Sequence, residues 1–519
     1  MLGKNAEAAA GVGGLLVVAT VAWAVAHHTV AMSPIANLDF WYMVQVGLAL
    51  DVGQPATLAD GLYPFGLPLL LRLGLVAGAD VLVVGRVASA IGLAIALLAL
   101  VRLVDAIEDD EPDGAPPSAW HRALVLPIAL ANPMLVYYAW FEGTDMLAAG
   151  GQVLGIALLA KSANAAPRRA LLAGVAFGAA YLVRYTALVS LAACAVVLVG
   201  SLPWRRALGA VGRLFAGFGI AAAPQLAASL FAHGRPFYTL QAKNVWFGIH
   251  GGGDYLANWS RVPNDIAFLD VVAMDPWLFG RHWAMELGRF VSEPALHGWP
   301  LPLLVLAVGG AAISLAERRA RARLAVRLIL CTALAIVAAT AMAWLHERFL
   351  LVVILLEVAL IHRAILALAD RAAALRAGAA RPLLAAAALV LMLAAIPGAR
   401  AAAERYADPR PALVARILAE HGMRDAAEVG TNNPYFHATG DLGRTRFGQI
   451  NSIAPSAATL DDVLRDPRTA GWRFLALDFR SPHGDLSALR PALAEDPRVD
   501  VFYARDDLVL ARLEAGQGR

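Results

Sequence analysis

The chain has only two cysteines among 519 residues, Cys194 and Cys331, and both lie within apolar runs. That excludes a disulfide framework, and neither thiol suggests a metal site. Charge is also scarce: Asp, Glu, Lys and Arg make up 16% of the residues, against 59% hydrophobic ones. An ordinary soluble domain does not have this balance, so the sequence reads as a polytopic membrane protein. Its formal charge of +3 comes from basic residues spread along the connections. They form no single patch, which argues against nucleic acid as a partner. No internal repeat or low-complexity linker is evident beyond the Ala and Leu bias of the apolar runs.

Long hydrophobic runs are what the chain has instead. Apolar windows of about 20 residues fall near 11–31, 81–103, 122–138, 145–161, 170–183, 185–201, 208–231, 299–316, 326–345, 349–368 and 382–398. They predict about eleven spans, the first a retained signal anchor. The connections holding Lys161, Arg168 and Arg169, then Arg205, Arg206 and Arg213, then Arg318 to Arg327, then Arg363 to Arg381 alternate to one side. The positive-inside rule makes that side cytoplasmic, which puts the N-terminus in and the C-terminus out. The acidic run Glu108-Asp109-Asp110-Glu111 then falls in a cytoplasmic loop and reads as a solvated segment rather than a cation site.

The predicted fold is mostly α: a transmembrane domain over residues 1–399, with outer loops at 32–80 and 233–298, then a small periplasmic α/β domain over 400–519. Composition changes at Arg400, and strand-like runs follow at Ala427–Gly430, Phe474–Asp478, Val499–Tyr503 and Leu508–Leu513, with helical stretches near 410–421 and 485–495. Nothing in this region resembles a nucleotide-binding glycine loop.

Candidate functional residues gather at the outer ends of spans. Asp39 follows the first apolar segment and opens a stretch with Phe40, Met43, Val44, Gly47 and Leu48 on one helical face, as for a helix lying in the interface. A carboxylate there can act as a general base, or it can simply cap the helix. Tyr63 begins the turn Tyr63-Pro64-Phe65-Gly66-Leu67-Pro68 on the same side. Glu142 and Asp145 stand at the entrance to a span, where acidic residues are costly unless solvated or paired, so both are candidates for substrate binding. Arg184 and Arg348 are the basic residues at outer span ends. They can bind an anion, or they can snorkel to the headgroups. His346 and Glu347 adjoin Arg348, and Lys243 and Asn244 lie in the outer loop that also carries Trp246, Trp259, Trp277 and Trp283. That loop suits either a lid over a cleft or an interfacial belt.

Taken in order, Asp39, then Tyr63 to Leu70, then Gly143-Thr144-Asp145-Met146-Leu147, then Leu182 to Leu188, then Glu347-Arg348-Phe349-Leu350-Leu351 resemble the motifs of the GT-C membrane glycosyltransferases. The similarity is to the bacterial branch of protein O-mannosyltransferases, lipid A aminoarabinose transferases and rhizobial core transferases, and it covers roughly residues 11–370. It implies a polyprenyl-phosphate sugar as donor, a glycan, lipid or protein as acceptor, and transfer with inversion at the periplasmic face of a bacterial inner membrane. It also implies Asp39 as the base, with Asp145, Glu142, Arg184, Arg348, Tyr63, Lys243 and Glu347 binding substrate. Many relatives have a second acidic residue next to the aspartate, where this chain has Phe40. A divalent metal ion is therefore allowed but not indicated. The rival reading from another class is a multi-span transporter or lipid flippase of envelope precursors. Such a protein should have charged or Gly/Pro-broken segments near span centres.

Overall fold

The structure, a computed structural model, describes residues 38–51, 53–79, 81–108, 122–160, 167–251, 262–316, 324–375, 386, 390, 410–424, 428–431, 459–465, 472–479 and 489–514. The predicted spans at 11–31 and 382–398 lie outside these residues, apart from two positions in the second. The chain divides into two compact units. The first takes in residues 46–249 and 267–405 along with the first thirty positions, and the second takes in 31–45, 250–266 and 406–519.

The first unit is helical. After α1 (Leu38–Ala49), whose last residues enter it, come α2 (Pro55–Leu58), α3 (Gly66–Val76), α4 (Val81–Glu108), α5 (Val125–Leu130), α6 (Pro133–Trp140), α7 (Asp145–Ala160), α8 (Pro167–Val183), α9 (Ala187–Ser201) and α10 (Trp204–His233). They are followed by α11 (Gln241–His250), α12 (Phe268–Met274), α13 (Pro276–Ser292), α14 (Leu301–Ala316), α15 (Leu324–Thr340) and α16 (Leu351–Leu375). Among the described residues, three helices are long and apolar enough to cross a membrane: Val81–Glu108, Trp204–His233 and Glu347–Ala372. Shorter apolar helices include α7, α9, α14 and α15. Packing is closest where side chains are small. A methyl group added at Gly92 of α4 would strike the backbone of Met146 and Leu147, and one at Gly150 of α7 would strike Gly92 itself. The two backbones can approach this closely only because both positions are glycine.

Three expectations change. The run at 122–138 is two short helices rather than one span. Asn132 leaves the helical region at φ −94° and ψ 112°, and its side chain accepts from the amides of Met134 and Leu135. Pro133 starts the next helix with no amide to lose. In α1, Phe40, Met43, Val44 and Gly47 are buried as a stripe, but Leu48 is 59% exposed and falls off that face. Glu108 is not solvated: it pairs with the buried Arg363 of α16 at 3.1 Å.

In the second unit, α17 (Arg410–Glu420), β1 (Val429–Thr431), α18 (Leu460–Arg465), β2 (Phe474–Asp478), α19 (Leu489–Glu495), β3 (Val499–Arg505) and β4 (Leu508–Leu513) form an α/β layer structure. The sheet order is β1-β2-β4-β3, with β1 parallel to β2 and the other pairs antiparallel. All five residues of β2 are buried, and their alternation divides two cores. Phe474 and Ala476 face Val414 and Leu418 of α17, while Leu475 and Leu477 face Leu460 of α18 and Leu489 of α19.

Candidate active site: two arginines on one carboxylate

The N-terminal ends of α7 and α16 and the C-terminal end of α8 converge. Asp145, in the first turn of α7, is buried and ion-paired to Nη1 of Arg184, just beyond the end of α8. Nε of Arg348 lies 4.0 Å from the same carboxylate oxygen. Arg184 Nη1 also donates to Thr144 Oγ1 at 3.3 Å. The ring of Phe349 carries both guanidiniums, 4.9 Å from Arg184 and 5.1 Å from Arg348. The side chains are only 13% and 19% exposed, so neither arginine snorkels away from the protein. Two guanidiniums are thus held, poorly hydrated, around one carboxylate and one aromatic ring, in fixed positions from which an anion can be contacted.

Arg348 is set on a short 3₁₀ turn, Glu347–Leu350. Nδ1 of His346 accepts from the Arg348 amide at 3.3 Å and lies 3.3 Å from the carboxylate of buried Glu347. Glu142 is paired at 2.6 Å with Arg86 of α4. Burial pushes its carboxyl up, and the Arg86 charge works against that rise.

The Tyr63 turn is tied to the Lys243 stretch. Leu240 donates to the Gly61 carbonyl at 2.8 Å, Gln241 Nε2 donates to Leu62 at 3.2 Å, and Gln225 of α10 accepts from the Phe65 amide at 3.1 Å. Gly61 has φ +88°, which a side chain would strain, and Tyr238 lies directly against it. Lys243 is only 2% exposed, and the loss of water lowers its ammonium below the ordinary value.

Asp145, Arg184, Arg348 and Glu347 thus come together, Glu142 joins Arg86, and the stretches carrying Tyr63 and Lys243 are tied by the bonds of Gly61, Leu62, Leu240 and Gln241. Asp39 lies in the first turn of α1, in the second unit. Arg86 belongs to no motif read from the sequence, while Thr144 and Phe349 stand in the motifs at 143–147 and 347–351 and only the structure places them on the arginines. An arginine well inside the apolar run 81–103, whose other arginine, Arg102, stands at its far end, was the available signal for Arg86. Among the described residues, no three His, Cys, Asp or Glu side chains are grouped to hold a metal ion.

A further polar network lies at the foot of α14. His297 Nδ1 meets Glu357 Oε1 at 2.7 Å, Trp299 donates to Glu357 Oε2 at 2.7 Å, and Asn132 donates to the His297 carbonyl at 2.8 Å. Burial disfavours the imidazolium, but the bond to Glu357 and its charge outweigh this, so His297 titrates above 6.5. A raised value in the folded state stabilises at low pH and is lost as pH climbs through it. Glu357→Gln should therefore reduce stability most on the acidic side, by about 3–5 kcal/mol at full effect, read as a lower thermal midpoint there. The gap to wild type should close as pH rises above the His297 range. A pH-independent gap would remove the ion pair as its cause.

The first unit is thus a bundle of apolar helices around a buried arginine–carboxylate cluster, and among the described residues three of these helices are long and apolar enough to cross a membrane. No family model matches the sequence, and no curated protein does. Solved structures do. ArnT from Cupriavidus metallidurans bound to undecaprenyl phosphate superposes with a TM-score of 0.56 at 16% identity, over 97% of this chain and 98% of that one. The same enzyme in the apo state gives the same figures. The archaeal oligosaccharyltransferase AglB from Archaeoglobus fulgidus, in complex with an inhibitory peptide and a dolichol-phosphate, gives 0.51 at 13% identity, over 89% of this chain and 69% of that one. The chain shares the fold of these solved structures.

Proposed function

We propose that this protein is an inverting glycosyltransferase that moves a sugar from a polyprenyl-phosphate donor to an acceptor hydroxyl at the periplasmic face of a bacterial inner membrane. The observation that carries the reading is the convergence of Arg184 and Arg348 on Asp145, in a fold shared with two structures bound to lipid phosphates. In the reaction the acceptor oxygen attacks the anomeric carbon, the bond from that carbon to the phosphate oxygen breaks, and its electron pair stays on the phosphate. The hydroxyl proton passes to Asp39 as general base. Negative charge grows on the departing oxygen, where a guanidinium stabilises it most. Asp39 is assigned by its place after the first apolar segment and by motif order. Tyr63, Lys243, Glu142 and Glu347 are assigned to substrate binding in the same way.

Purified protein incubated with a panel of polyprenyl-phosphate sugars and acceptor extracts tests this. The expected result is donor consumption with release of lipid phosphate. If no donor is consumed with any acceptor, the transfer reading fails and the flippase alternative gains. Topology has its own check: a reporter fused after Arg400 should register as periplasmic, and one within Arg318–Arg323 as cytoplasmic. The reverse pattern would put the arginine cluster on the wrong face for this chemistry.

A further inference from the structure

The outer helix α13 turns one face towards the segment that ends in Arg348. Three of its side chains reach that segment. Trp283 Nε1 donates to the Ala338 carbonyl at 2.9 Å, the His282 ring bonds the Ala343 carbonyl at 2.6 Å, and Glu286 Oε2 accepts from the Leu345 amide at 2.7 Å. Residues 282, 283 and 286 share one face of a helix. α15 stops at Thr340; the amides of Ala341, Met342 and Ala343 still bond back to Val337, Ala339 and Thr340, and the helical ladder ends there, ahead of the Leu345 amide. Side chains of α13 supply the missing partners.

Glu286 differs from the other two in being a buried carboxylate, 5% exposed. Its charge is met by Arg289 Nη1, at 2.9 and 3.0 Å from its two oxygens. Arg289 in turn grips Glu293 through Nε at 2.9 Å and Nη2 at 3.1 Å. The anchor is thus a charged acceptor with a fixed orientation, and a charge-assisted bond to a backbone amide is about twice as strong as a neutral one. From the other side, Gly248 of α11 lies so close to the Ala343 carbonyl that no side chain fits between them. The segment before Arg348 is therefore held from two directions.

We propose that Glu286 is a positioning residue for Arg348: by fixing the Leu345 amide three residues upstream, it sets where the guanidinium stands beside Asp145. The inference rests on the assignment of Arg348 to the donor phosphate. Two measurements on the full-length protein in nanodiscs test it. In the absence of lipid ligand, Glu286→Ala should speed hydrogen exchange across 341–350 by about tenfold or more, as expected from losing one charge-assisted hydrogen bond, while helix 81–108 keeps its protection. The same variant should weaken binding of undecaprenyl phosphate by about tenfold. Glu286→Gln, which keeps an acceptor oxygen, should restore most of both. In an Arg348→Ala background, Glu286→Ala should weaken undecaprenyl phosphate binding no further, because the group it positions is gone.

Unchanged exchange at 341–350 overturns the anchor. Faster exchange with unchanged affinity, or an equal loss of affinity in the Arg348→Ala background, overturns the positioning role. If the wild type itself does not bind undecaprenyl phosphate, the proposed donor falls and the exchange measurement decides the anchor alone.

Discussion

Asp39→Asn is expected to lower turnover by about 100-fold or more while the protein folds as before. The substitution is chosen to separate the two things this carboxylate can do. Asp39 lies in the first turn of α1, where its negative charge and side-chain oxygen suit a helix N-terminus. Asparagine serves that position about as well as aspartate. If Asp39 only caps the helix, the variant should keep both its thermal midpoint and its turnover. A general base is different, because the amide cannot accept the acceptor's proton at all. Transfer rates and thermal unfolding of the two proteins, measured side by side, give the answer. Wild-type turnover in Asp39→Asn would remove the residue from the mechanism.

The sequence revealed the fold where one signal dominated. In the C-terminal unit the strands at Phe474–Asp478 and Leu508–Leu513 lie where short, nearly continuous apolar runs put them, because each is buried on both faces between two cores. α18 was not legible: Leu460–Arg465 is six residues long, too short for a helical period to register. The break at Asn132 was present in the sequence as Asn-Pro, but the apolar residues on both sides masked it. In the site, Asp145, Arg184 and Arg348 could be picked out because charge at a span end is expensive. Their convergence could not, since positions 145, 184 and 348 meet only through the packing of three separate helices. Glu286 and His297 were out of reach for a related reason. Each lies in the polar stretch 233–298 between apolar runs, where a carboxylate or imidazole that the structure buries looks in sequence like any solvated one.

Arg184→Ala and Arg348→Ala should each lose about 2–4 kcal/mol of transition-state stabilisation, the range found for removal of one oxyanion donor. The geometry explains why the proteins should still fold. Either variant leaves Asp145 facing one remaining guanidinium, so the buried carboxylate keeps a partner. The double Ala variant leaves none, and a stability loss of about 3–5 kcal/mol should appear only there. Lysine keeps the charge but loses the planar fork and the broad contact with Phe349 that both arginines make. Arg184→Lys and Arg348→Lys should therefore be intermediate in turnover and in donor affinity. Gln keeps hydrogen-bonding capacity without charge, and it should resemble Ala in turnover if a phosphate is the ligand. Arginines that serve only to hold Asp145 would behave otherwise: Lys would then be close to wild type, and Gln would cost stability rather than rate. Turnover, donor affinity and thermal midpoint for Ala, Lys and Gln at each position distinguish these cases. Near-wild-type turnover in both Gln variants would rule out phosphate binding at this pair, because no neutral amide can replace the positive charge that a departing phosphate requires.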